Sequence, residues 1–133
     1  MSYYGYSLFI NRPYKEVVPS EVDFDHFRSN CSQNSKICLG CGISSLDSVS
    51  CTDCNFFLTE TTKNNPKFSN GVWWYYTPSI SIGYADKSTI NQNNADKEDP
   101  NSDKRISWPF GNGFRCGSKF YPAYHRKFIF IKW

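Results

Sequence analysis

Two closely spaced pairs of cysteines constrain the fold of this chain more than any other feature of its sequence. The segments Cys38-Leu39-Gly40-Cys41 and Cys51-Thr52-Asp53-Cys54 each hold two cysteines separated by two residues, and residues 42–50 lie between them. Such spacing either clamps a tetrahedral Zn²⁺ between two thiolate pairs or staples an antiparallel hairpin with disulfides. Both uses predict a compact cysteine-rich hairpin over residues 31–54.

Two interpretations of these four cysteines remain open. In the first, all four bind one Zn²⁺ as thiolates. In the second, they form two nested disulfides, Cys38–Cys54 and Cys41–Cys51, across a turn at Ser45-Leu46-Asp47. Opposite residues of a hairpin have position numbers with a constant sum, and that sum is the same for both pairs. One hairpin register would therefore serve both bridges, which would lie on opposite faces of the ribbon.

The remaining two cysteines, Cys31 and Cys116, are left as a further pair under either interpretation. We favour zinc, because the first ten residues have neither the basic nor the apolar segment of a signal peptide. A cytoplasmic location or non-classical export is therefore expected, and thiols stay reduced in the cytosol. The cysteines are expected to be structural, because no histidine lies near the cluster to act as a base.

The scarcity of good helix-forming residues predicts an all-β fold. Leucine occurs only at positions 8, 39, 46 and 58 and alanine only at positions 85, 95 and 123, whereas Phe, Tyr and Trp make up 18% of the 133 residues. A helical bundle or a doubly wound sheet needs Leu and Ala on its helices. Aromatic residues instead fit the pleated surface of a sheet. We expect a single domain over residues 1–133, a compact antiparallel β-sandwich or small barrel.

Alternating apolar residues predict where the strands lie. The segment 3–10 is expected to be a strand whose core face carries Tyr4, Tyr6, Leu8 and Ile10, and the segment 79–84 one that turns Ile80, Ile82 and Tyr84 inward. Residues 56–62 are strand-like in composition, and a short helical turn near residues 20–28 is expected to be the only helix.

An aromatic β-sheet core is predicted over residues 70–133. Its last segment, 126–133, contains consecutive apolar residues, which is typical of a strand covered on both faces.

The stretch Trp73-Trp74-Tyr75-Tyr76 holds more aromatic side chains than one face of a core needs. Successive side chains of a strand point to opposite faces, so one Trp and one Tyr of this stretch are expected to be exposed. Exposed rings stack well on the C–H faces of sugars or on nucleobases. A sandwich with unusually aromatic faces explains the same pattern.

A polar segment over residues 85–104 supplies the other candidate ligand-binding groups. Long polar loops inside a small domain are often functional. The groups expected to hydrogen-bond to a ligand are Asp86, Asn93, Asn94, Asp96 and Arg105. Closely spaced oxygen ligands are supplied by Asp96, Glu98, Asp99, Asn101 and Asp103, and the stretch Asp99-Pro100-Asn101-Ser102-Asp103 partly imitates the opening of a calcium loop. The glycine and the distal glutamate of that loop are missing, so a solvated turn is favoured over calcium binding.

Several function classes receive no support from the sequence. The two histidines, His26 and His125, lie far apart and no G-x-S-x-G turn accompanies them, so no enzymatic activity is expected. The net charge of +3 comes from scattered Lys and Arg residues, which gives no reason to expect nucleic-acid binding. No apolar run approaches the roughly 20 residues of a membrane-spanning helix, so a soluble protein is expected.

The C-terminal half resembles small β-rich lectin-like modules of the slime-mould haemagglutinin type. The resemblance covers about residues 70–132 and rests on Trp74-Tyr75-Tyr76-Thr77-Pro78, Ile82-Gly83-Tyr84-Ala85, the polar run from Thr89-Ile90-Asn91-Gln92 to Ala95-Asp96, Arg105-Ile106-Ser107-Trp108 and Gly113-Phe114-Arg115-Cys116-Gly117. It implies carbohydrate binding without catalysis.

The expected function is therefore non-catalytic recognition of glycans or glycoproteins. One exposed aromatic residue of the 73–76 stretch, together with Trp108, is expected to stack on the sugar while the polar groups bind its hydroxyls. The alternative is a structural or assembly protein, stapled by a zinc-ribbon-like hairpin, whose aromatic surface binds another protein or a second copy of the chain.

Overall fold

The computed structural model describes residues 3–13, 21–62, 64–78, 80–88, 103–109, 115–120 and 124–133. The strands and helices in these ranges are β1 (Ser7–Pro13), α1 (Glu21–Asn30), β2 (Lys36–Gly42), β3 (Leu46–Asp53), α2 (Cys54–Glu60), β4 (Lys67–Ser69), β5 (Val72–Thr77), β6 (Ser81–Ala85), β7 (Ile106–Pro109), β8 (Arg115–Cys116), β9 (Lys119–Phe120) and β10 (Arg126–Lys132). The chain is mostly β, which confirms the predicted all-β class.

The strands form two antiparallel sheets. The first sheet has the order β1-β10-β2-β3, and the second has the order β4-β5-β6-β7-β8-β9. The first and last strands of the chain pair with each other in the first sheet, and β3 lies at its other edge. The fold is thus consistent with the predicted sandwich.

One main core joins the two sheets and the two helices. From the first sheet, Ile129 and Ile131 of β10 enter this core, and from the second sheet Trp74 and Trp108 enter it. The opposite face of β10 packs in a separate cluster around Phe128 and Phe130. Residues 128–131 are all buried, which confirms that the C-terminal strand is covered on both faces.

The two helices cover the second sheet with aromatic side chains. Phe24 and Phe27 of α1 are fully buried, and the Phe24 ring lies 5.1 Å from that of Tyr76. The short helix predicted near residues 20–28 is therefore confirmed.

Helix α2 contradicts the prediction of a strand over residues 56–62 and of a single helix. Its buried residues Cys54, Phe57 and Leu58 have the spacing of one helical face, and the Phe57 ring packs 4.9 Å from Trp74. The β-favouring composition of the segment is overridden by this packing.

The N-terminal strand begins and ends later in the chain than predicted, at Ser7–Pro13 instead of residues 3–10, and only one of its predicted core residues is buried. Ile10 is buried, whereas Tyr4 is 89% exposed and Leu8 is 38% exposed. A β-bulge between Leu8 and Ile10 leaves Phe9 unpaired and interrupts the alternation, because a bulge places two residues opposite one. Residues 3–6 form a turn that precedes the strand.

The inward positions predicted near residue 80 are partly correct. Ile82 and Tyr84 are buried in β6, but Ile80 is 36% exposed because it lies in the turn before the strand, where its N–H donates to the carbonyl of Thr77.

The cysteine-rich hairpin exists, but the predicted nested disulfides are wrong. Strands β2 and β3 pair with Cys38 opposite Cys51, and the turn lies at residues 43–45. The disulfides are Cys38–Cys51, Cys41–Cys116 and Cys31–Cys54. The predicted pairing of Cys38 with Cys54 fails because β3 ends at Asp53 and Cys54 is the first residue of helix α2.

The same arrangement separates the four cysteines that were predicted to bind one zinc ion. Cys38 and Cys51 lie in the outer cluster of the first sheet, whereas Cys41 and Cys54 lie in the main core. Successive residues of a strand point to opposite faces, so positions 38 and 41 cannot converge. The structure therefore does not bring together the four cysteines Cys38, Cys41, Cys51 and Cys54 of the predicted zinc centre.

Candidate functional site

The aromatic residues that were predicted to bind a ligand lie mostly in the protein interior. Trp74, Tyr75 and Tyr76 are at most 1% exposed, and only Trp73 is half-buried. The predicted alternation is present, since Trp74 and Tyr76 belong to the main core and Tyr75 packs with Ala85 in another cluster. The expectation of one exposed Tyr is wrong, because that second face is also covered at Tyr75.

Trp73 keeps a partly exposed ring because it lies beside the edge strand β4. Its cross-strand partner there is Phe68, which is 58% exposed, and the two ring centres are 5.4 Å apart. Of the aromatic residues predicted to bind a ligand, Trp73 is the one whose ring remains partly exposed, and its exposed neighbour Phe68 was not among them.

Trp108 and Arg105 are also buried, contrary to their predicted role at the surface. Trp108 is 1% exposed and belongs to the main core. Arg105 is fully buried, and its guanidinium binds Asp86 with an Nη2 to Oδ1 distance of 2.9 Å and an Nε to Oδ1 distance of 3.1 Å. This ion pair joins the end of β6 to the start of β7, so both residues hold the fold together.

The other predicted polar ligands, Asn93, Asn94 and Asp96, lie outside the described residues. The same holds for Glu98, Asp99 and Asn101 of the calcium-like segment. Asp103 is described, and it lines a polar cavity together with Asp47.

A polar groove runs along the edge strand β3, and we call it the β3 groove. Three cavities of about 310, 260 and 240 Å³ lie along it; the first two share the wall residues Leu46, Asp47 and Asp103, and the first and third share Asn70. Its largest cavity is lined by Leu46, Asp47, Ser48, Val49, Ser50, Asn70, Gly71, Val72, Tyr84, Asp103 and Lys104. Carboxylates, hydroxyls, an amide and an ammonium group therefore line this cavity.

Hydrogen bonds between the two sheets fix the walls of the β3 groove. The Ser48 hydroxyl and the Tyr84 phenol lie 2.6 Å apart, and the Asn70 amide donates to the carbonyl of Cys51 at 2.9 Å. Burial raises the pKa of Tyr84 above its ordinary range, so its phenol stays protonated, and either hydroxyl can be the donor in this hydrogen bond. Asn70 and Gly71 have positive φ values of 50° and 84°, as a tight two-residue turn between β4 and β5 requires.

One end of the groove holds a cluster of groups with metal-ligand chemistry. His125 Nε2 lies 2.6 Å from Asp47 Oδ2, and one ligand atom each of Asp47, His125 and Cys116 lie within 4.8 Å of one another. In the oxidised protein the Cys116 sulfur is bonded to Cys41, which withholds it from metal binding and from nucleophilic attack.

A buried lysine lies near this cluster. Lys127 is fully buried, directly opposite Cys41 across the β2–β10 pairing, and its Nζ lies 5.9 Å from the centre of the Trp108 ring. Burial lowers the pKa of Lys127 to about 8, because the charged form is poorly solvated in the interior.

Comparison with known proteins adds no family to this picture. No protein-family model, no curated protein and no solved structure matches this chain. The resemblance to haemagglutinin-type lectin modules therefore stays a prediction. Neither helix of the described residues is long or apolar enough to cross a membrane.

Proposed function

We propose that this protein binds glycans without catalysis and that the β3 groove is the binding site. The observation that carries the proposal is the polar lining of the groove, which combines hydrogen-bond donors and acceptors on a rigid framework. A carboxylate accepts hydrogen bonds from neighbouring sugar hydroxyls, and a side-chain amide both accepts and donates them; Asp103 and Asn70 offer these groups.

The size and charge of the groove suit one or two sugar units. The largest cavity, about 310 Å³, is at the lower end of the range for small-molecule sites. Its carboxylates Asp47 and Asp103 face the single cation Lys104 among the residues that line it. Such a nearly balanced set favours a neutral, hydroxyl-rich ligand over a strongly charged one.

The disulfides support the proposal because they preorganise the site. Cys38–Cys51 ties β3 to its neighbour, and Cys41–Cys116 joins the two sheets at one end of the groove. A wall that is already rigid loses little conformational entropy when a ligand binds.

An array of immobilised glycans tests this proposal, with Asp103→Asn as the test variant and Asp25→Asn as its control. Asp103 lines two of the three cavities, whereas Asp25 is exposed on α1. Loss of a charged acceptor should weaken binding by roughly 1.5–3 kcal/mol, or at least about tenfold. The proposal fails if no glycan binds above background or if both variants bind like the wild type.

The second candidate is an assembly protein that self-associates through exposed aromatic rings. Phe68 lies beside Trp73, and Phe9 is 42% exposed with its ring 6.4 Å from that of Trp133, which is 48% exposed. Exposed aromatic side chains are enriched in protein interfaces. A concentration series in the analytical ultracentrifuge tests it: a wild-type dimer that Phe9→Ser or Phe68→Ser makes monomeric supports assembly, and a monomer at every concentration opposes it.

A further inference from the structure

The Cys41–Cys116 disulfide lies against two other side chains that bind metals in proteins. The ligand atoms of Cys116, His125 and Asp47 are within 4.8 Å of one another. Reduction of the bond would release Cys41 at the same place, because its sulfur is bonded to that of Cys116. Two thiolates, an imidazole and a carboxylate are a complete set of ligands for tetrahedral zinc.

We propose that the reduced protein binds one Zn²⁺ at this place, so that zinc replaces the disulfide as the link between the two sheets. The ligands are Cys41, Cys116, His125 and Asp47. This site is distinct from the zinc centre predicted from the cysteine spacing, since it uses one cysteine of the hairpin, one distant cysteine and the histidine that precedes β10.

The distances are close to those of a bound metal. Zinc lies about 2.3 Å from sulfur and about 2.0 Å from nitrogen or oxygen, so two ligand atoms of a tetrahedral site are roughly 3.3 to 3.8 Å apart. Atoms that lie as much as 4.8 Å apart need to approach by about one ångström. His125 Nε2 and Asp47 Oδ2, which are 2.6 Å apart, need to separate by roughly 0.7 Å to admit the ion. The two sulfurs must separate when their bond breaks, which side-chain rotation can supply.

Burial of the site favours metal-bound thiolates over free thiolates, because the ion compensates their charge. Cys116 and His125 are buried, where two uncompensated thiolates would be costly. The cavity of about 260 Å³ beside Cys116 and Asp47 gives the ion a path from solvent.

The reaction balances with a two-electron reductant. A dithiol donates two electrons and two protons to the Cys41–Cys116 bond, which breaks into two thiols while the reductant becomes a disulfide. Zn²⁺ then binds the two sulfurs as thiolates and displaces two protons to solvent. In a reducing compartment the two sheets would therefore remain joined, through the metal.

The test measures the zinc content and the cobalt spectra of the full chain before and after reduction. The reductant is a phosphine in place of the dithiol, and it becomes a phosphine oxide by taking oxygen from water. We expect no bound metal in the oxidised protein and one Zn²⁺ per chain after reduction. Co²⁺ in the same site should show visible bands of a tetrahedral centre with two thiolates and a nitrogen ligand.

His125→Gln and His26→Gln form a matched pair of variants, since the chain has only these two histidines. Loss of the His125 ligand should weaken zinc binding by about 100-fold or more, whereas His26→Gln should bind like the wild type. His26 lies on the exposed face of α1. Equal zinc binding by both variants, or no binding by the reduced wild type, overturns the proposal.

Two further readouts guard against unfolding and against thiols released from the other disulfides. If the reduced chain unfolds without metal, zinc should restore its near-UV circular dichroism in the wild type and in His26→Gln but not in His125→Gln. A cobalt spectrum of four thiolates would assign the metal to other cysteines and would also overturn the proposal. None of these outcomes depends on glycan binding.

Discussion

The Cys41–Cys116 disulfide is expected to stabilise the protein more than either of the other two. It joins β2 of the first sheet to β8 of the second, across a sequence separation of 75 residues. The separations for Cys38–Cys51 and Cys31–Cys54 are 13 and 23 residues. A cross-link lowers the conformational entropy of the unfolded chain, and this loss grows with the logarithm of the number of residues in the closed loop.

The magnitude follows from these loop lengths. In the chain-entropy account, loss of the Cys41–Cys116 link lowers the free energy of unfolding by about 4.5 kcal/mol, and loss of Cys38–Cys51 lowers it by about 3 kcal/mol. The double variants Cys41→Ala/Cys116→Ala and Cys38→Ala/Cys51→Ala remove each bridge without leaving a free thiol. We therefore expect a difference of about 1.5 kcal/mol between the two variants.

Urea unfolding of the oxidised proteins, followed by tryptophan fluorescence, measures this difference. Both variants are compared with the wild type at the same pH without a reductant, and the slopes must agree before the free energies are compared. The reasoning is refuted if Cys38→Ala/Cys51→Ala loses as much stability as Cys41→Ala/Cys116→Ala, because local contacts would then outweigh the inter-sheet link.

Three further predictions concern the core and the groove walls. Trp74→Ala should lower the free energy of unfolding by about 3–5 kcal/mol and Trp73→Ala by clearly less, since only Trp74 is fully buried. Equal losses in urea unfolding would contradict the assignment of Trp74 to the core face of β5 and of Trp73 to its other face. Tyr84→Phe should cost about 1–3 kcal/mol by leaving Ser48 without its buried partner, and adding Ser48→Ala should recover part of that loss in a double-mutant cycle. Gly83→Ala should lower the thermal midpoint strongly, because its Cβ would lie 2.0 Å from the Ile106 carbonyl oxygen; a midpoint within a few degrees of the wild type would contradict the close β6–β7 contact.

Local patterns were sufficient for those parts of the fold in which the periodicity of one strand or helix decides which side chains are buried. The run Phe128-Ile129-Phe130-Ile131 was enough to predict a strand covered on both faces, because apolar residues at consecutive positions need two buried faces. The alternation at Ile82 and Tyr84 was similarly sufficient. The alternation predicted for the N-terminal strand failed at Phe9, because a β-bulge depends on how the partner strand pairs and cannot be read from one strand alone.

The disulfides and the β3 groove could not be predicted, because each depends on contacts between distant parts of the chain. Cys41 pairs with a residue 75 positions away, and only the packing of the two sheets brings them together. The groove likewise combines β3 with the turn at Asn70 and with Asp103. One local pattern could have corrected the disulfide prediction. Cys54, Phe57 and Leu58 have the spacing of one helical face, which argues against Cys54 as a cross-strand partner in the hairpin.

The most direct test of the proposed function is an amide chemical-shift titration of the isotope-labelled protein with the glycan that binds best on the array. Binding in the β3 groove predicts that the largest shifts fall on residues 46–50, 70–72 and 103–104 and saturate at one ligand per chain. Largest shifts at Phe68 and Trp73, on the outer side of the β4–β5 hairpin, or no shifts that saturate, would contradict the assignment of the groove as a glycan site.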